Sequence, residues 1–389
     1  MRQKILMAFF AIAFSGVAGL WAQGVAHEVR AADRLIGTPG GLVTITGSTV
    51  KLWSSADANG EVLGTLELPA GARVVYRRGR ALAVSYEPSF SPLAPGQLDS
   101  GYEERLRPLS VVQIMDHKLR LLGRTIELNS VEDTFTADGR GFVHFAVGAD
   151  HMGVAIENLL TGQRTTVRMV FLKPSGKARV PQVEVTPQLV QPDRVLYPFN
   201  NALMLLAPDS RRLWTADEEK RLIGKIAVSD DQKLVLVTRL GLNGPMDAIE
   251  VRRVTDGKLV WSDGPTGKLF DALHRAGILA DQEYHRKLGK QGRNSRYAAL
   301  SDIETMANGW LLYGTGPRQA WVARVSCGEA GCAVNLLSVG VLKTEHVVFG
   351  DLGRGRRYAL DMASCRVLHK NATGWHFVSK GGSVGQGVN

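Results

Sequence analysis

What this chain lacks excludes several kinds of protein. It has three cysteines in 389 residues, and Cys327 and Cys332 have no further ligands in sequence reach, so the pair does not read as a zinc site. Beyond the N-terminus no apolar stretch reaches the roughly 20 residues that a membrane span needs. No basic patch is interleaved with aromatics and no helix-turn-helix pattern is present, so nucleic acid is excluded as a partner. Gly264-Pro265-Thr266-Gly267-Lys268-Leu269 is no phosphate loop, because its spacing is wrong and no Ser or Thr follows the Lys. Gly381-Gly382-Ser383-Val384-Gly385 matches a nucleophile elbow in letters only. It stands in a Gly-rich tail with no strand before it and no helix after it. The nine histidines are scattered. His144 and His151 flank a turn holding Asp150, and a histidine on an apolar run is more often packed than ligating. No catalytic, cofactor-binding or metal-ligating residue is assigned, and no cofactor is expected.

What is present begins with the N-terminus. Arg2 and Lys4 precede an apolar run from Ile5 to Ala18, and Gly24-Val25-Ala26 offers small residues for cleavage. Residues 1–26 read as a secretory signal peptide. An uncleaved anchor is the other reading, for which the run is short. The run holds no Cys, which excludes a lipid-anchored form. The expected location is periplasmic or secreted, with membrane contact at most peripheral once the signal is removed. The formal charge is +10, and cleavage leaves +8 because Arg2 and Lys4 go with the signal. That charge serves solubility, or favours anionic envelope surfaces and acidic partners.

Cys327 and Cys332 are separated by Gly-Glu-Ala-Gly and flanked by apolar runs. A hairpin brings the two thiols together, and an exported protein meets an oxidising compartment, so a disulfide across the turn is expected. A redox pair usually has two intervening residues. Cys365 is left over as a buried thiol.

Most of the chain is short β-branched runs separated by turn residues, which predicts an all-β fold. Ile226 to Trp261 holds four such runs and resembles one blade of a β-propeller. Ile156-Glu157 with Thr161-Gly162 is echoed by Ile249-Glu250 with Thr255-Asp256-Gly257, an offset of 93 for the isoleucines. That is about two blades at the roughly 40–50 residues of propeller repeats. Third strands are expected to start at 111, 154, 202, 248, 320 and 358, spaced 38 to 48 apart except for one step of 72. The pattern predicts a propeller of roughly six or seven blades over 109–389. An irregular β-sandwich is the alternative. Closure is expected to place Trp375–Val378 in one blade with an N-terminal strand.

Residues 27–40 read as a linker. Residues 41–88 hold about five strand runs, and Val50-Lys51-Leu52, Val62-Leu63-Gly64-Thr65-Leu66 and Gly71-Ala72-Arg73-Val74 resemble bacterial SH3-like (SH3b) domains. That resemblance implies a small barrel that binds cell-wall peptides or glycans. Ser54-Ser55-Ala56-Asp57 stands where the family often has an Arg-Ser/Ala-Gly-Pro loop. The same residues also read as a first blade. Residues 89–108, rich in Pro and Gly, read as a linker between domains.

The step of 72 marks a short α-helical insertion, 266–296. Leu269, Phe270, Leu273 and His274 share one helical face, Gly277 caps that helix, and Asp281 starts a second. The fragment from Leu269 to Tyr284 resembles the two-helix SHOCT module, which implies association rather than chemistry. Arg286, Lys287, Lys290, Arg293 and Arg296 follow as the strongest charge cluster in the chain. They are a solvated face or a docking surface for an acidic partner or phospholipid head groups.

The leading functional expectation is a non-enzymatic exported binding or scaffold protein, partnered with an envelope protein or a cell-wall component. The rivals are a propeller enzyme with a channel site, either a hydrolase or a quinone-type oxidoreductase, and a peptidoglycan-binding module.

Overall fold

A computed structural model describes residues 27–57, 59–85, 109–115, 118–126, 134–147, 151–170, 185–190, 193–199, 201–217, 221–241, 246–278, 300, 302–315, 319–341 and 358–378. They form a seven-bladed β-propeller, each blade one antiparallel meander. Blade 1 is β1 (Arg34–Thr38), β2 (Gly41–Thr46), β3 (Thr49–Trp53) and β4 (Val62–Glu67). Blade 2 is β5 (Arg73–Arg78), β6 (Ala81–Ser85), β7 (Leu109–Met115) and β8 (Lys118–Ile126). Blade 3 is β9 (Thr134–Phe135), β10 (Gly141–Val147), β11 (His151–Asn158) and β12 (Arg164–Val170). Blade 4 is β13 (Gln188–Val190), β14 (Arg194–Phe199), β15 (Ala202–Leu206) and β16 (Arg212–Asp217). Blade 5 is β17 (Leu222–Val228), β18 (Leu234–Leu240), β19 (Met246–Arg253) and β20 (Leu259–Asp263). Blade 6 is β21 (Asp302–Met306), β22 (Gly309–Thr315), β23 (Gln319–Gly328) and β24 (Gly331–Val341). Blade 7 has β25 (Tyr358–Asp361), β26 (Arg366–Asn371) and β27 (Gly374–Phe377) among the described residues.

The burial of each strand follows its place in the blade. Second strands such as β6 and β18 are covered on both faces and begin as apolar runs, Ala81–Val84 and Leu234–Val237, with Thr238 and Arg239 buried after the second. Outermost strands such as β4 and β20 are mostly exposed. One sheet cannot cover both its faces alone, and a ring of sheets covers each face with a neighbour. Seven apolar clusters result, one at each seam between consecutive blades, including the seam between blades 7 and 1.

The stretch from Ile226 to Trp261 is blade 5, and the echo two blades upstream is real. Both turns lie between third and fourth strands. Gly162 N donates to Asn158 O at 2.7 Å, and Gly257 N donates to Arg253 O at 2.9 Å. The third strands expected at 111, 154, 202, 248 and 320 are β7, β11, β15, β19 and β23. Tyr358 instead opens β25, the innermost strand of blade 7, which contacts β1.

Three expectations are corrected. Residues 27–40 are no linker, because they hold a helical turn, α1 (27–31), and the strand β1. The runs within 41–88 do not close into a barrel. β4 and β5 belong to different sheets, and β6 uses its second edge to pair with β7 from Ala81↔Gln113 to Val84↔Ser110. Residues 86–108 therefore lie inside a connection of blade 2 and join no separate domains; they fall outside the described residues. Finally, β27 pairs with β26, and no N-terminal strand joins that sheet among the described residues. β1 pairs locally with β2 across a two-residue turn, and closure falls to side-chain packing and hydrogen bonds. The signal peptide expected over residues 1–26 falls outside the described residues.

Candidate functional site

The meander gives the ring two unlike faces. Turns from first to second and from third to fourth strands lie on one face and span two to eight residues. The strand ends joined by 86–108, 171–187, 264–301 and 342–357 all lie on the other face.

Of the predicted features, the cysteine pair is found where the hairpin argument puts it. Cys327 and Cys332 are directly opposed on β23 and β24, with Cα atoms 4.1 Å apart, and their sulfurs are bonded. Cys365 is half-buried in a turn rather than fully buried. Its Sγ donates to Met362 O at 3.4 Å, and burial pushes the thiol up. His144 is buried edge-on to Phe142, ring centroids 4.9 Å apart. Among the described residues no three His, Cys, Asp or Glu side chains gather as a metal site, and no helix is long and apolar enough to cross a membrane.

The insertion begins with α2, spanning Lys268–Arg275. Asp263, the last residue of β20, accepts from Lys268 N at 2.9 Å and Leu269 N at 3.1 Å. A carboxylate at that end satisfies orphan N–H groups and complements the helix dipole. Burial pushes the Asp263 carboxyl up, while those two N–H groups and Lys268 act in the opposite direction. Gly277 closes the other end at φ 71°. Its N–H donates to His274 O and the Ile278 N–H to Leu273 O, the paired pattern of a Schellman cap. Leu269, Phe270 and Leu273 enter the apolar cluster between blades 5 and 6, whereas His274, expected on the same face, is exposed. The second helix expected from Asp281 and the cluster Arg286, Lys287, Lys290, Arg293 and Arg296 lie outside the described residues.

Motif reading missed the propeller axis. Arg77 on β5 of blade 2 pairs with Glu304 on β21 of blade 6, and their side chains are 2% and 1% exposed. Blades 2 and 6 are not neighbours, so this ion pair crosses the axis. Tyr313 donates to Glu304 Oε1 at 3.2 Å. Glu304 Oε2 and Arg77 Nε are buried with no partner among the described residues. Burial pushes the Glu304 carboxyl up, with the Arg77 cation opposing it, and burial also raises Tyr313 well above its ordinary value. Burial works against the Arg77 cation too, but Glu304 and Tyr313 more than offset it and hold Arg77 charged. Beside this pair Arg78 lies 3.4 Å and Lys225 of blade 5 lies 3.5 Å from Asp302. Burial opposes ionisation of Asp302, yet Arg78, Lys225 and the Ile303 N–H bring it down to about 2. The signal available in the sequence was Asp302-Ile303-Glu304, which puts two carboxylates on one face of a strand. Their partners Arg77 and Arg78 are more than 220 residues away, beyond any motif.

At the level of Arg77 and Glu304 the axis is therefore occupied by packed, charge-paired side chains. A second buried ionic group sits inside blade 5, where Glu250 Oε2 lies 3.2 Å from Arg239 Nε and 2.8 Å from Arg252 Nε. No family model matches the chain, and no curated protein matches it. Solved structures do. Kluyveromyces lactis Hsv2 is 10% identical at a TM-score of 0.34, covering 79% of this chain and 99% of that one. A chain in the crystal structure of a mitotic checkpoint complex is 9% identical at a TM-score of 0.37, covering 89% of this chain and 86% of that one. The seven-bladed assignment stands on this chain's own strand pairing.

Proposed function

We propose that the chain is an exported, non-enzymatic binding or scaffold protein of the cell envelope that works through protein–protein contacts. The observation that carries the reading is the filled axis. Arg77, Glu304 and Tyr313 occupy the position at which a propeller enzyme would assemble a site from several blades, and they are paired with one another. A rigid ring with a filled centre offers its faces. The face that receives the four longest connections is the natural recognition surface, because loops on a fixed scaffold are where binding residues concentrate. The basic cluster from Arg286 to Arg296 belongs to one of those connections. Export is supported by the N-terminal pattern and by the bonded cysteine pair, which suits an oxidising compartment.

Two measurements test this. N-terminal sequencing of protein recovered from the periplasm or the medium is expected to find a chain starting near His27; an intact Met1 start inside the cell would remove the export half. A photo-cross-linker placed at Lys290 is expected to capture a discrete partner in cells. Capture of none, together with a stoichiometric cofactor or metal in the purified protein, would replace the scaffold with an enzyme.

A further inference from the structure

The short-turn face carries a charge cluster that the reading above does not use. Three turns between first and second strands meet there: 79–80 of blade 2, 136–140 of blade 3 and 229–233 of blade 5. Arg80 N donates to Asp138 O at 3.1 Å, and Ala137 reaches the apolar cluster between blades 5 and 6. The blade 3 turn thus leans over the axis, and on the way Ala137 N donates to Gln188 Oε1 of blade 4 at 3.0 Å. At this mouth two guanidinium groups share one carboxylate oxygen. Arg140 Nη2 lies 2.6 Å and Arg80 Nη2 3.6 Å from Asp230 Oδ1. The three side chains are 30%, 26% and 32% exposed, open to an incoming group but recessed. At 3.6 Å Arg80 is beyond hydrogen-bond length from that oxygen, which leaves most of its five donors uncommitted there. Directly behind, Arg77, Arg78 and Lys225 face Glu304 and Asp302. With Asp138, Asp231 and Lys233 of the same turns, the mouth and the axis set six cations against five carboxylates, an excess of one positive charge.

We infer that this mouth binds a carboxylate presented by an acidic segment of a partner protein, with Arg80 and Arg140 as the gripping residues and Asp230 as the resident carboxylate that the partner displaces. The resident group shows which chemistry the two guanidinium groups accept. Their planar forks match a second carboxylate bidentately. The recessed position suits a protruding side chain better than a flat membrane surface. The net charge, +10 for the full chain and +8 after the expected cleavage, raises the encounter rate with acidic partners. The inference rests on the scaffold reading and adds to it a partner chemistry and a second working face.

The test uses the purified full chain and a fluorescein-labelled oligoglutamate peptide, with anisotropy read at low and at physiological salt. Arg80→Gln and Arg140→Gln are each expected to weaken binding about tenfold. Asp230→Asn is expected to strengthen it several-fold, because it removes the resident competitor; a merely structural role for Asp230 predicts no such gain. Unchanged binding in both arginine variants, at wild-type melting temperature, would overturn the inference. So would a loss of binding in Lys287→Gln/Lys290→Gln, which would move the peptide to the other face. Displacement of the peptide by inorganic phosphate at matched ionic strength would assign the mouth to free anions and overturn a peptide partner. If the peptide fails to bind while the Lys290 cross-linker still captures a partner, this inference falls and the scaffold reading stands.

Discussion

The seam between blades 5 and 6 and the seam between blades 7 and 1 do the same job by different means. Between 5 and 6 the chain itself joins the sheets, running from β20 through α2 toward β21, and the seam is mostly apolar: Ile249, Trp310 and Trp321 pack with Leu269 and Phe270. Between 7 and 1 no covalent continuity exists, and named polar atoms hold the two ends together. The buried Asp361 of blade 7 accepts from Ala56 N at 3.0 Å and Ser55 Oγ at 3.3 Å of blade 1, and from Ser364 Oγ at 2.7 Å within its own blade. Trp375 Nε1 donates to Ala32 O at 3.0 Å. Lys370 Nζ donates to Ala32 O at 3.4 Å and lies over the Trp375 ring. At Gly37 the backbones approach so closely that a Cβ would stand 1.8 Å from Leu360 O. Hydrophobic packing is non-directional and tolerates small slips. Hydrogen bonds and a backbone-to-backbone approach do not, so the closing seam is the more exacting of the two.

The sharpest way to break that contrast is Gly37→Val. It forces the first and seventh blades apart and is expected to cost about 4 kcal/mol or more in urea denaturation, with cooperative unfolding lost. A variant that unfolds like the wild type would show that the close approach is dispensable. Asp361→Ala leaves the donors from Ser55 and Ala56 without their acceptor. We expect a loss of about 3 kcal/mol, and proteolysis that starts at the blade 7–blade 1 junction rather than at the blade 5–blade 6 junction.

Asp302 lies at the axis end of the blade 5–blade 6 boundary, where it pairs with Lys225 of blade 5 and Arg78 of blade 2, and it is remote from the closing seam. Its pKa in the fold is about 2, against an ordinary 3.8. A lowered folded value means that the stabilisation is present above the unfolded pKa and is lost as pH falls from about 4 toward about 2. Asp302→Asn is therefore expected to lose about 2 kcal/mol at neutral pH and to flatten the acid limb of the stability curve in that window, with both seams unfolding together. An acid limb as steep as in the wild type would count against the Arg78–Asp302–Lys225 pairing. The smallest effect belongs to the apolar seam. Asp263→Ala removes the cap of α2 and is expected to cost about 1 kcal/mol, seen as faster amide exchange confined to α2 and its neighbours. Faster exchange spreading to blade 7 would mean that the two seams are coupled.

The same division separates what could be read in advance from what could not. Strand periodicity and turn glycines made blade 5 legible, because they act over a few residues. The disulfide was legible because a hairpin brings Cys327 and Cys332 together whatever the rest of the chain does. The first turn of the insertion was legible through Leu269, Phe270 and Leu273, though His274 was misplaced. An α-helical periodicity names a face without saying how wide its covered part will be. Residues 41–88 misled because short β-branched runs look alike in a barrel and in a blade. The difference is which edge of β6 is paired, and its partner β7 stands on the far side of residues 86–108.

Sequence alone therefore determined the local part of this protein: an all-β chain with a repeated blade, one helical interruption, one cysteine pair and a basic character. Tertiary structure decided the rest: seven blades rather than six, a closing seam that exchanges no strand among the described residues, and an axis crossed by the Arg77–Glu304 pair with Tyr313 bonded to it. The physical reason is range. Periodicity and turn chemistry are set by neighbours along the chain. The Arg77–Glu304 and Arg78–Asp302 pairs at the axis and the latch at Asp361 join residues more than 220 positions apart, and only closing the ring brings those groups within reach of one another.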